Sequence, residues 1–510
     1  MWNYNLALLF SEIVKKYKEE ISIIFDDKVY TYSELDIVSN KLAKLLLSYS
    51  YKIGDVICIQ GKKCIETYSL IVACWKIGLT YFFIDADSPV KRINLMIKRC
   101  KPKLLIAENQ FLNVFVLENE LKIIKLEDLF NKSAKYSGKI ISQNIPGDTI
   151  AYIMFTSGST GEPNGVAVAN SSLLHFINWA KDEYDIDKND VLAGLNPLHF
   201  DNSVFDTYAS LLNGATLLPM RKSIVQNPNK AFNILEKHNI TIWFSVPSLI
   251  IYYLRFGTFK KKSLLSLRYI IFGGEGFPKS KLLELYSLFK NRAKLSNVYG
   301  PTEATCICSS YQISAKDFNK EEISKLSPLG NIIKNFNYYI LDDEYKSVIE
   351  GEVGELALAG PHLSKGYFNN KLKTKERFIN NPNNQSFFEK IYLTGDLVKI
   401  NKENKLMYFC GRKDSQIKFM GYRIELGEIE SCLNSHKDIF ESCVTFGKLA
   451  NVEQITCFVS TNLDKKDLNI FLANSLPPYM IPRNIIIMDE LPKNQNDKID
   501  RLKLAKDYYE

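Results

Sequence analysis

The chain has 510 residues, of which 46% are hydrophobic and 24% are charged, and its formal net charge at pH 7 is +8. This composition is typical of a globular protein, and the length exceeds what one hydrophobic core usually supports, so we expect at least two domains. The basic residues form no long block or aromatic-interleaved stripe, and no apolar stretch approaches the ~20 residues that cross a bilayer, which argues against nucleic-acid binding and a membrane span.

The ten cysteines are scattered, without CxxC pairs or neighbouring histidines, and most of them lie inside apolar runs. This pattern is typical of reduced, buried thiols and predicts a reducing, cytoplasmic location. The N-terminal segment carries no early positive charge and continues past Glu12 with helical periodicity. We therefore do not expect this segment to be a signal peptide.

Short apolar, β-branched runs alternate with amphipathic segments along most of the chain. The clearest pairs are DVICIQG (55–61) with ETYSLIVACWKIG (66–78), ITIWFSV (240–246) with the helical stretch after it, and LRYIIFGG (267–274) with PKSKLLELYSLF (278–289). This alternation predicts βαβ units, and thus an α/β fold with large, mainly parallel sheets flanked by helices.

A polar, charged segment at 411–418 separates this α/β region from a final block. The block contains a helix-like run, IELGEIESCL (424–433), and two strand candidates, FESCVTFG (440–447) and ITCFVST (455–461). We therefore predict a large domain at 1–412 and a small, mobile α+β domain at 413–510. Because candidate catalytic residues lie on both sides of the junction, we expect the site between the two domains.

The first chemically informative segment joins a predicted buried strand, Ala151–Phe155, to the loop TSGSTGEPNG (156–165). Glycines let backbone N–H groups turn toward an anion, and hydroxyl groups add donors without bulk, so the loop is suited to a polyphosphate. A flexible Ser/Gly connector is the alternative. The loop is not a Walker A sequence, because no Gly-Lys-Ser/Thr closes it.

The string TSGSTGEPNGV is similar to the signature loop of the adenylate-forming superfamily, especially the amino-acid adenylation enzymes of nonribosomal peptide synthesis and the D-alanine:carrier-protein ligases. Further motifs of that superfamily follow in order: NVYGPTEAT (297–305), GELALAG (354–360), YLTGD (392–396), GRKDSQIKFMGYRIELGEIE (411–430) and NQNDKIDR (494–501). The resemblance covers nearly the whole chain. It implies the acyl-adenylate synthetase fold.

The resemblance also implies an activity. An AMP-forming ligase of this kind adenylates an amino acid with ATP and Mg²⁺, releases pyrophosphate and transfers the product as a thioester to the phosphopantetheine arm of a carrier protein. The chain ends at Glu510, soon after the last motif, so we expect a stand-alone ligase with a separate carrier. The alternatives are a D-alanine:carrier-protein ligase, an acyl-CoA synthetase, and a nucleotide-binding pseudoenzyme.

Family roles can be transferred to individual residues. Nucleotide contacts would come from Thr156, Ser157, Gly158, Ser159, Thr160, Gly161, Gly274, Glu275, Tyr299, Asp396 and Arg412. The Thr302 hydroxyl would approach the α-phosphate, and Glu303 would ligate Mg²⁺. Lys498 would place its ammonium group where negative charge accumulates during the attack. The alternatives are a surface glutamate in a proline turn for Glu303, a loop carboxylate for Asp396, and solvated charged side chains for Arg412 and Lys498.

Asp414 matches the hinge position of the family. In one orientation of the small domain Lys498 would face the phosphates, and in the other the segment 418–422 would line a passage for a carrier thiol. An ordinary turn residue is the alternative for Asp414.

The segment HFDNSVFDTYASLLNGATL (199–217) resembles the substrate motif of the family. Asp201 would anchor the α-ammonium group of an amino acid; the alternative is that it caps the helix that follows. The residues at the pocket positions are mostly apolar, as in pockets for branched aliphatic amino acids: Asn202, Phe205, Phe244, Ile271, Gly273, Val298, Cys306 and Ile307. The D-alanine ligases commonly have a cysteine at the position of Gly273.

Three residues depart from the family pattern. Asn164 stands in place of a lysine, Leu393 in place of a basic residue, and Asp497 in place of the glycine before Lys498. Loss of a lysine near the β- and γ-phosphates predicts weaker ATP binding. These departures keep the pseudoenzyme alternative open.

Overall fold

The computed structural model describes residues 3–60, 63–107, 121–141, 143–158, 162–319, 326–450, 452–494 and 499–509. The strands in these ranges are β1 (Ile21–Phe25), β2 (Lys28–Thr31), β3 (Val56–Gln60), β4 (Thr80–Ile84), β5 (Leu104–Ala107), β6 (Lys122–Lys125), β7 (Ile150–Thr156), β8 (Asn164–Ala169), β9 (Val191–Gly194), β10 (Thr216–Pro219), β11 (Ile242–Ser245), β12 (Tyr269–Gly273), β13 (Lys294–Tyr299), β14 (Ser309–Gln312), β15 (Asn331–Ile332), β16 (Asn337–Leu341), β17 (Gly354–Ala359), β18 (Phe378–Asn380), β19 (Lys390–Ile400), β20 (Met407–Arg412), β21 (Gln416–Phe419), β22 (Tyr422–Glu425), β23 (Ile439–Leu449), β24 (Val452–Thr461) and β25 (Asn484–Ile487).

The helices in the same ranges are α1 (Leu6–Tyr17), α2 (Tyr32–Ser48), α3 (Ile65–Ile77), α4 (Val90–Cys100), α5 (Leu126–Ser133), α6 (Asn170–Tyr184), α7 (Asn202–Val204), α8 (Lys222–Val225), α9 (Pro228–Lys237), α10 (Pro247–Arg255), α11 (Lys279–Phe289), α12 (Lys371–Arg377), α13 (Leu426–Asn434), α14 (Lys465–Ser475) and α15 (Arg501–Tyr509). None of the helices in these ranges is long and apolar enough to span a membrane.

Two large sheets dominate the first 332 residues. One has nine strands in the order β15-β14-β13-β12-β11-β9-β10-β1-β2, and the other has six in the order β6-β5-β3-β4-β7-β8. Their inner pairs are parallel, and antiparallel pairs lie at the edges. The prediction of mainly parallel sheets from strand–helix alternation is confirmed, because apolar strands covered on both faces need helical crossovers.

The parallel strands place their carboxyl ends along one edge. Strands β9, β11, β12 and β13 run side by side and end at Gly194, Ser245, Gly273 and Tyr299. In open α/β sheets this edge is where ligands bind, because the loops that follow the strands converge there. The candidate site lies at this edge.

After residue 336 the chain is built differently. Strands β16 to β20 form an antiparallel sheet, and from Gln416 onward the chain forms the hairpin β21–β22 and a three-stranded sheet of β23, β24 and β25. We call residues 3–412 the N-terminal unit and Gln416–Tyr509 the C-terminal unit. The C-terminal unit has its own apolar core around Ile429, Leu433 and Val444. The domain boundary at 412 remains a prediction.

The helix and strands expected in the final block are confirmed as α13, β23 and β24. Helix α15 was not predicted. In its sequence, RLKLAKDYY, only Leu504 is buried. The helical repeat of apolar residues is therefore too weak to predict a helix from the sequence.

Candidate active site

A cavity of about 1010 Å³ lies between the carboxyl edge of the nine-stranded sheet and the β21–β22 hairpin of the C-terminal unit. It brings together fourteen of the predicted site residues: Thr156, Ser157, Asp201, Asn202, Phe244, Gly273, Gly274, Val298, Tyr299, Thr302, Cys306, Ile307, Asp396 and Arg412. The hairpin closes it with Lys418, Gly421, Tyr422 and Arg423. The other predicted residues in the described ranges are Gly158, Phe205, Ile271, Glu275, Glu303 and Asp414, which lie behind or beside this lining. Ser159, Thr160, Gly161, Asp497 and Lys498 lie outside the described residues.

Asp201 lies in the cavity wall, immediately before α7. The hydroxyl of Thr302 donates a hydrogen bond to Oδ2 of Asp201 at 2.6 Å, and burial raises the pKa of this carboxyl group. The Asp201 side chain makes no capping hydrogen bond in the described part of the chain, so the capping interpretation was wrong. A carboxylate that faces a cavity is available to a cationic ligand.

The pocket beside Asp201 is built from aromatic and small residues. The rings of Phe205 and Phe244 pack edge to face at 5.1 Å, and Phe205 begins a π-helical turn, Phe205–Ala209, that continues α7. Turns of this kind are frequent at functional sites because they displace side chains from the regular helical face. Cys306 has a backbone φ of 73°, which is uncommon for a non-glycine residue and places its side chain in the cavity lining.

The backbone around position 273 leaves no room for a side chain and therefore requires glycine. A Cβ atom at this position would lie 2.2 Å from the carbonyl oxygen of Val298 on the neighbouring strand β13. This backbone therefore has no room for the cysteine that is common in D-alanine ligases.

The nucleotide-binding candidates Tyr299, Asp396 and Arg412 contact each other. The Tyr299 hydroxyl donates to Oδ2 of Asp396 at 2.5 Å, and an Arg412 guanidinium N–H donates to Oδ1 at 2.5 Å. Arg412 also donates from Nε to Asp414 at 2.7 Å. Asp396 is 2% exposed, and the Arg412 side chain is 9% exposed. The interpretations as a loop carboxylate and a solvated arginine were wrong.

Glu303 is fully buried, so the interpretation as a surface glutamate was also wrong. The Tyr367 hydroxyl donates to Oε1 at 2.8 Å, and Arg423 donates to Oε2 at 2.8 Å. Burial by itself would raise the pKa of Glu303, but the charge of Arg423 and the bond from Tyr367 outweigh it, so the pKa is lowered. Because both oxygens are engaged and the negative charge is neutralised, Glu303 does not fit a Mg²⁺ ion in this arrangement.

The phosphate-loop candidates also contact the C-terminal unit. The Ser157 hydroxyl donates to the carbonyl oxygen of Arg423 at 2.8 Å, and the Gly158 N–H donates to Oε2 of Glu428 at 3.1 Å. Gly158 has no room for a side chain, because its Cβ would lie 1.9 Å from the carbonyl oxygen of Glu162. This close approach of the Glu162 carbonyl oxygen explains why position 158 needs glycine.

Glu275 holds the turn of the β21–β22 hairpin. Its two carboxylate oxygens accept hydrogen bonds from the Ser248 N–H at 2.6 Å and the Gly421 N–H at 2.8 Å. Beside this turn the Tyr422 ring stacks on Tyr479 at 3.9 Å. Residues from the segment 418–422 line the cavity.

Sequence reasoning assigned no role to Arg92, Arg423 or Glu428, and it missed Lys63, a buried lysine in the cavity wall. Arg423 and Glu428 lie inside the long motif at 411–430, which was a usable signal. Lys63 and Arg92 lie in unremarkable segments, and only the fold brings them to the cavity.

Comparisons with known proteins identify a family and several relatives. The family described as AMP-binding enzyme matches residues 10–368, and its C-terminal domain matches residues 428–498. The chain is 34% identical over 503 residues to bacitracin synthase 1 of Bacillus licheniformis, covering 97% of this chain and 9% of that protein. It is 31% identical over 507 residues to zwittermicin A synthase ZmaJ of Bacillus cereus, covering 98% and 94% of the two chains.

Solved structures are similar in fold. An adenylation domain of Vibrio cholerae, AlmE, in complex with glycyl-adenosine-5′-phosphate has a TM-score of 0.84 at 24% identity, covering 99% of this chain and 98% of AlmE. A fused adenylation–PCP didomain from Klebsiella oxytoca has a TM-score of 0.81 at 23% identity, covering 98% and 96%. These likenesses confirm the predicted acyl-adenylate synthetase fold.

Proposed function

The chain belongs to the AMP-binding enzyme family, and from this premise we propose that it adenylates an amino acid with ATP, releases pyrophosphate and transfers the aminoacyl group as a thioester to a carrier protein. The acceptor on the carrier is the thiol of a phosphopantetheine arm. Its relatives in nonribosomal peptide synthesis support this class of reaction.

The observation that carries the proposal is the position of Asp201. Its carboxylate lines the same cavity as Tyr299, Asp396 and Arg412, the nucleotide-binding candidates. An anion there would pair with an α-ammonium group, whereas a fatty or aryl acid offers nothing to neutralise it. An amino acid is therefore favoured over the substrates of acyl-CoA synthetases.

For the side chain we propose a branched aliphatic amino acid. The wall of Phe244, Val298 and Ile307 is apolar, and Phe205 packs behind Phe244. Gly273 leaves space in this wall, because no side chain fits at its position. Apolar shape selection supplies only ~1 to 3 kcal/mol per methylene group, so close homologues of the preferred amino acid should also react.

In the arrangement described here, the β21–β22 hairpin lines the cavity. We propose that this is the thioester-forming orientation, and that the C-terminal unit rotates near Asp414 to bring Lys498 to the phosphates for adenylation. In that other orientation Glu303 would be free to ligate the Mg²⁺ of the nucleotide. We further propose a cytoplasmic location, which the ten free cysteines support.

Amino-acid-dependent exchange of labelled pyrophosphate into ATP, screened over L- and D-amino acids, tests the first step. We expect the strongest exchange with isoleucine, valine or leucine. Absence of exchange with every amino acid would favour the pseudoenzyme, and D-alanine as sole substrate would favour the D-alanine ligase. Thioester formation with coenzyme A, unaffected by Asp201→Ala, would favour the acyl-CoA synthetase.

Lys498→Ala tests whether Lys498 acts in adenylation and not in thioester formation, with the carrier supplied as a separate protein. We expect loss of pyrophosphate exchange, by about two to three orders of magnitude, with thioester formation from supplied aminoacyl-adenylate largely retained. Equal loss of both steps would contradict the assigned role of this lysine.

A further inference from the structure

A polar network lies behind the aromatic wall of the proposed side-chain pocket. It includes Asp206, the residue that follows Phe205 in the π-helical turn Phe205–Ala209. Asp206 is buried and lies outside the set of residues that line the cavity. Because a buried carboxylate is costly unless other groups compensate it, the partners of Asp206 show what this side chain holds in place.

Asn196 joins Asp206 to the other aromatic residue of the wall. Oδ2 of Asp206 accepts the backbone N–H of Asn196 at 3.2 Å and its side-chain amide N–H at 3.0 Å. The same amide group donates to the carbonyl oxygen of Phe244 at 3.0 Å. One buried asparagine side chain therefore connects the turn that carries Phe205 to strand β11, which carries Phe244.

These hydrogen bonds restrict the aromatic pair more than the ring contact does. The rings of Phe205 and Phe244 pack edge to face at 5.1 Å, with Phe244 in the cavity wall. Such ring pairs tolerate centroid distances of about 4.5 to 7 Å, whereas hydrogen bonds have narrow ranges of length and angle. The bonds of Asn196 therefore determine how far the backbone of Phe244 lies from the turn.

Lys63 connects this network to the other large sheet. It follows β3 of the six-stranded sheet, and its ammonium group donates to the carbonyl oxygen of Gly194, at the end of β9, at 2.6 Å. Burial raises the pKa of Asp206, and the positive charge of Lys63 and the bonds from Asn196 limit that rise. Lys63 thus compensates the buried carboxylate, while Asn196 supplies the directional bonds.

We propose that Asn196 and Asp206 are positioning residues for amino-acid selection, which fix Phe244 relative to Phe205 and so keep the side-chain pocket at one width. This inference rests on the proposed function and deepens it. A wall that relaxes around a smaller or larger side chain loses discrimination by shape. In an apolar pocket that does not relax, one methylene group is discriminated about 10- to 200-fold.

Asp206→Ala is the discriminating variant, because Asp206 lies outside the cavity lining and acts on the pocket only through its partners. Pyrophosphate exchange gives kcat/KM for the preferred amino acid and for the homologue that is smaller by one methylene group. We expect the ratio of these two values to fall by about tenfold, because the wall relaxes, while the KM for ATP stays nearly unchanged. Asn196→Ala should have the same effect.

Asp206→Asn separates positioning from charge. The amide oxygen of the new side chain can still accept both N–H groups of Asn196, but the negative charge near Lys63 is lost. We therefore expect the selectivity ratio of the wild type in Asp206→Asn. A loss as large as that in Asp206→Ala would mean that charge compensation alone matters, and would overturn the proposal.

Asn213→Ala is the matched control for stability. Asn213 is another buried asparagine, a few residues further along the chain, and its amide donates to the carbonyl oxygen of Ala209 at 2.9 Å. This bond stays within one segment and does not join the two aromatic residues. Asn213→Ala should lower the unfolding temperature about as much as Asn196→Ala does, but leave the selectivity ratio unchanged.

The remaining outcomes are decisive in the same way. An equal loss of selectivity in Asn213→Ala and Asn196→Ala, or full selectivity in Asn196→Ala, contradicts the inference. Should Asp206→Ala fail to fold, Asn196→Ala and its control decide the question. If the wild type exchanges pyrophosphate with some amino acids and the variants keep its selectivity, only this inference fails. If the wild type exchanges with none, the proposed function fails, and this inference fails with it.

Discussion

At the scale of single residues, the candidate site consists of charges whose partners lie far away in sequence. Asp201 is bonded to Thr302, Asp396 to Tyr299, and Glu303 to Arg423. The motifs predicted which residues would matter, but not that each carboxylate would already have a partner. Leu393, which stands where the family pattern has a basic residue, packs in a small apolar cluster with Leu341 and Ile391. A basic side chain in this cluster would be buried without a partner.

Asp201→Asn tests the ammonium anchor. Loss of the negative charge should raise the KM for the amino acid by about two orders of magnitude and leave the KM for ATP nearly unchanged, in steady-state pyrophosphate exchange. Because burial raises the pKa of Asp201, the wild-type KM for the amino acid should rise as the pH falls through that raised pKa, where the carboxylate protonates. The variant should lack this pH dependence. An unchanged KM in Asp201→Asn would contradict the anchor role.

Asn164→Lys tests the departure in the signature loop. Asn164 is buried at the start of β8 and accepts a hydrogen bond from Asn370 at 3.2 Å, so the wild type lacks a cation at this position. A lysine here should lower the KM for ATP by about tenfold through its attraction to the phosphates. Asn370→Ala is the control, since it removes the partner without adding a charge and should not lower that KM. An unchanged or higher KM for ATP in Asn164→Lys would refute the prediction.

At the scale of elements, the β21–β22 hairpin links the two units. Its turn depends on Gly421, which has a φ of 80° and donates its N–H to Glu275. A Cβ atom there would lie 2.8 Å from the Val246 side chain. The strand–turn–strand pattern of this segment follows from local sequence, but its position inside the cavity does not.

Gly421→Ala should weaken docking of the hairpin. The left-handed backbone costs a non-glycine residue about 1 kcal/mol or more, and the contact with Val246 adds to this cost. Thioester formation should slow by roughly tenfold while pyrophosphate exchange persists. Gly257→Ala is the control for backbone strain, because Gly257 has a φ of 64° with nothing within 4 Å of its Cβ position. Equal slowing in both variants would argue against a specific role of the hairpin.

At the scale of the whole molecule, the two units have separate cores. Trp75, Trp179 and Trp243 lie in the cores of the N-terminal unit, and the only other tryptophan is Trp2. The core of the C-terminal unit contains Leu433, which is fully buried. The tryptophans that the structure describes all lie in the N-terminal unit, so their fluorescence reports on the unfolding of that unit.

Leu433→Ala should destabilise the C-terminal unit by ~2 to 5 kcal/mol, because it leaves a cavity in a small core. In thermal unfolding, the far-ultraviolet circular dichroism should show an earlier partial transition, while the tryptophan transition stays at the wild-type temperature. Leu502→Ala, at a position 84% exposed, should change neither signal. An equal shift of both signals in Leu433→Ala would mean that the two units unfold together.

The sequence by itself determined the α/β class, the mainly parallel sheets and fourteen of the residues that line the cavity, because hydrophobic periodicity and short motifs are local and can be recognised without knowledge of tertiary contacts. Tertiary structure decided which charges meet. Glu303 and Arg423 are 120 residues apart and Gly158 and Glu428 are 270 apart, so no local pattern predicts their pairing. It also decided that Gly273 faces a carbonyl oxygen and that the hairpin, carried by a separately folded unit, closes the cavity. Such contacts depend on how two independently packed cores are oriented, and that orientation is a property of the assembled molecule.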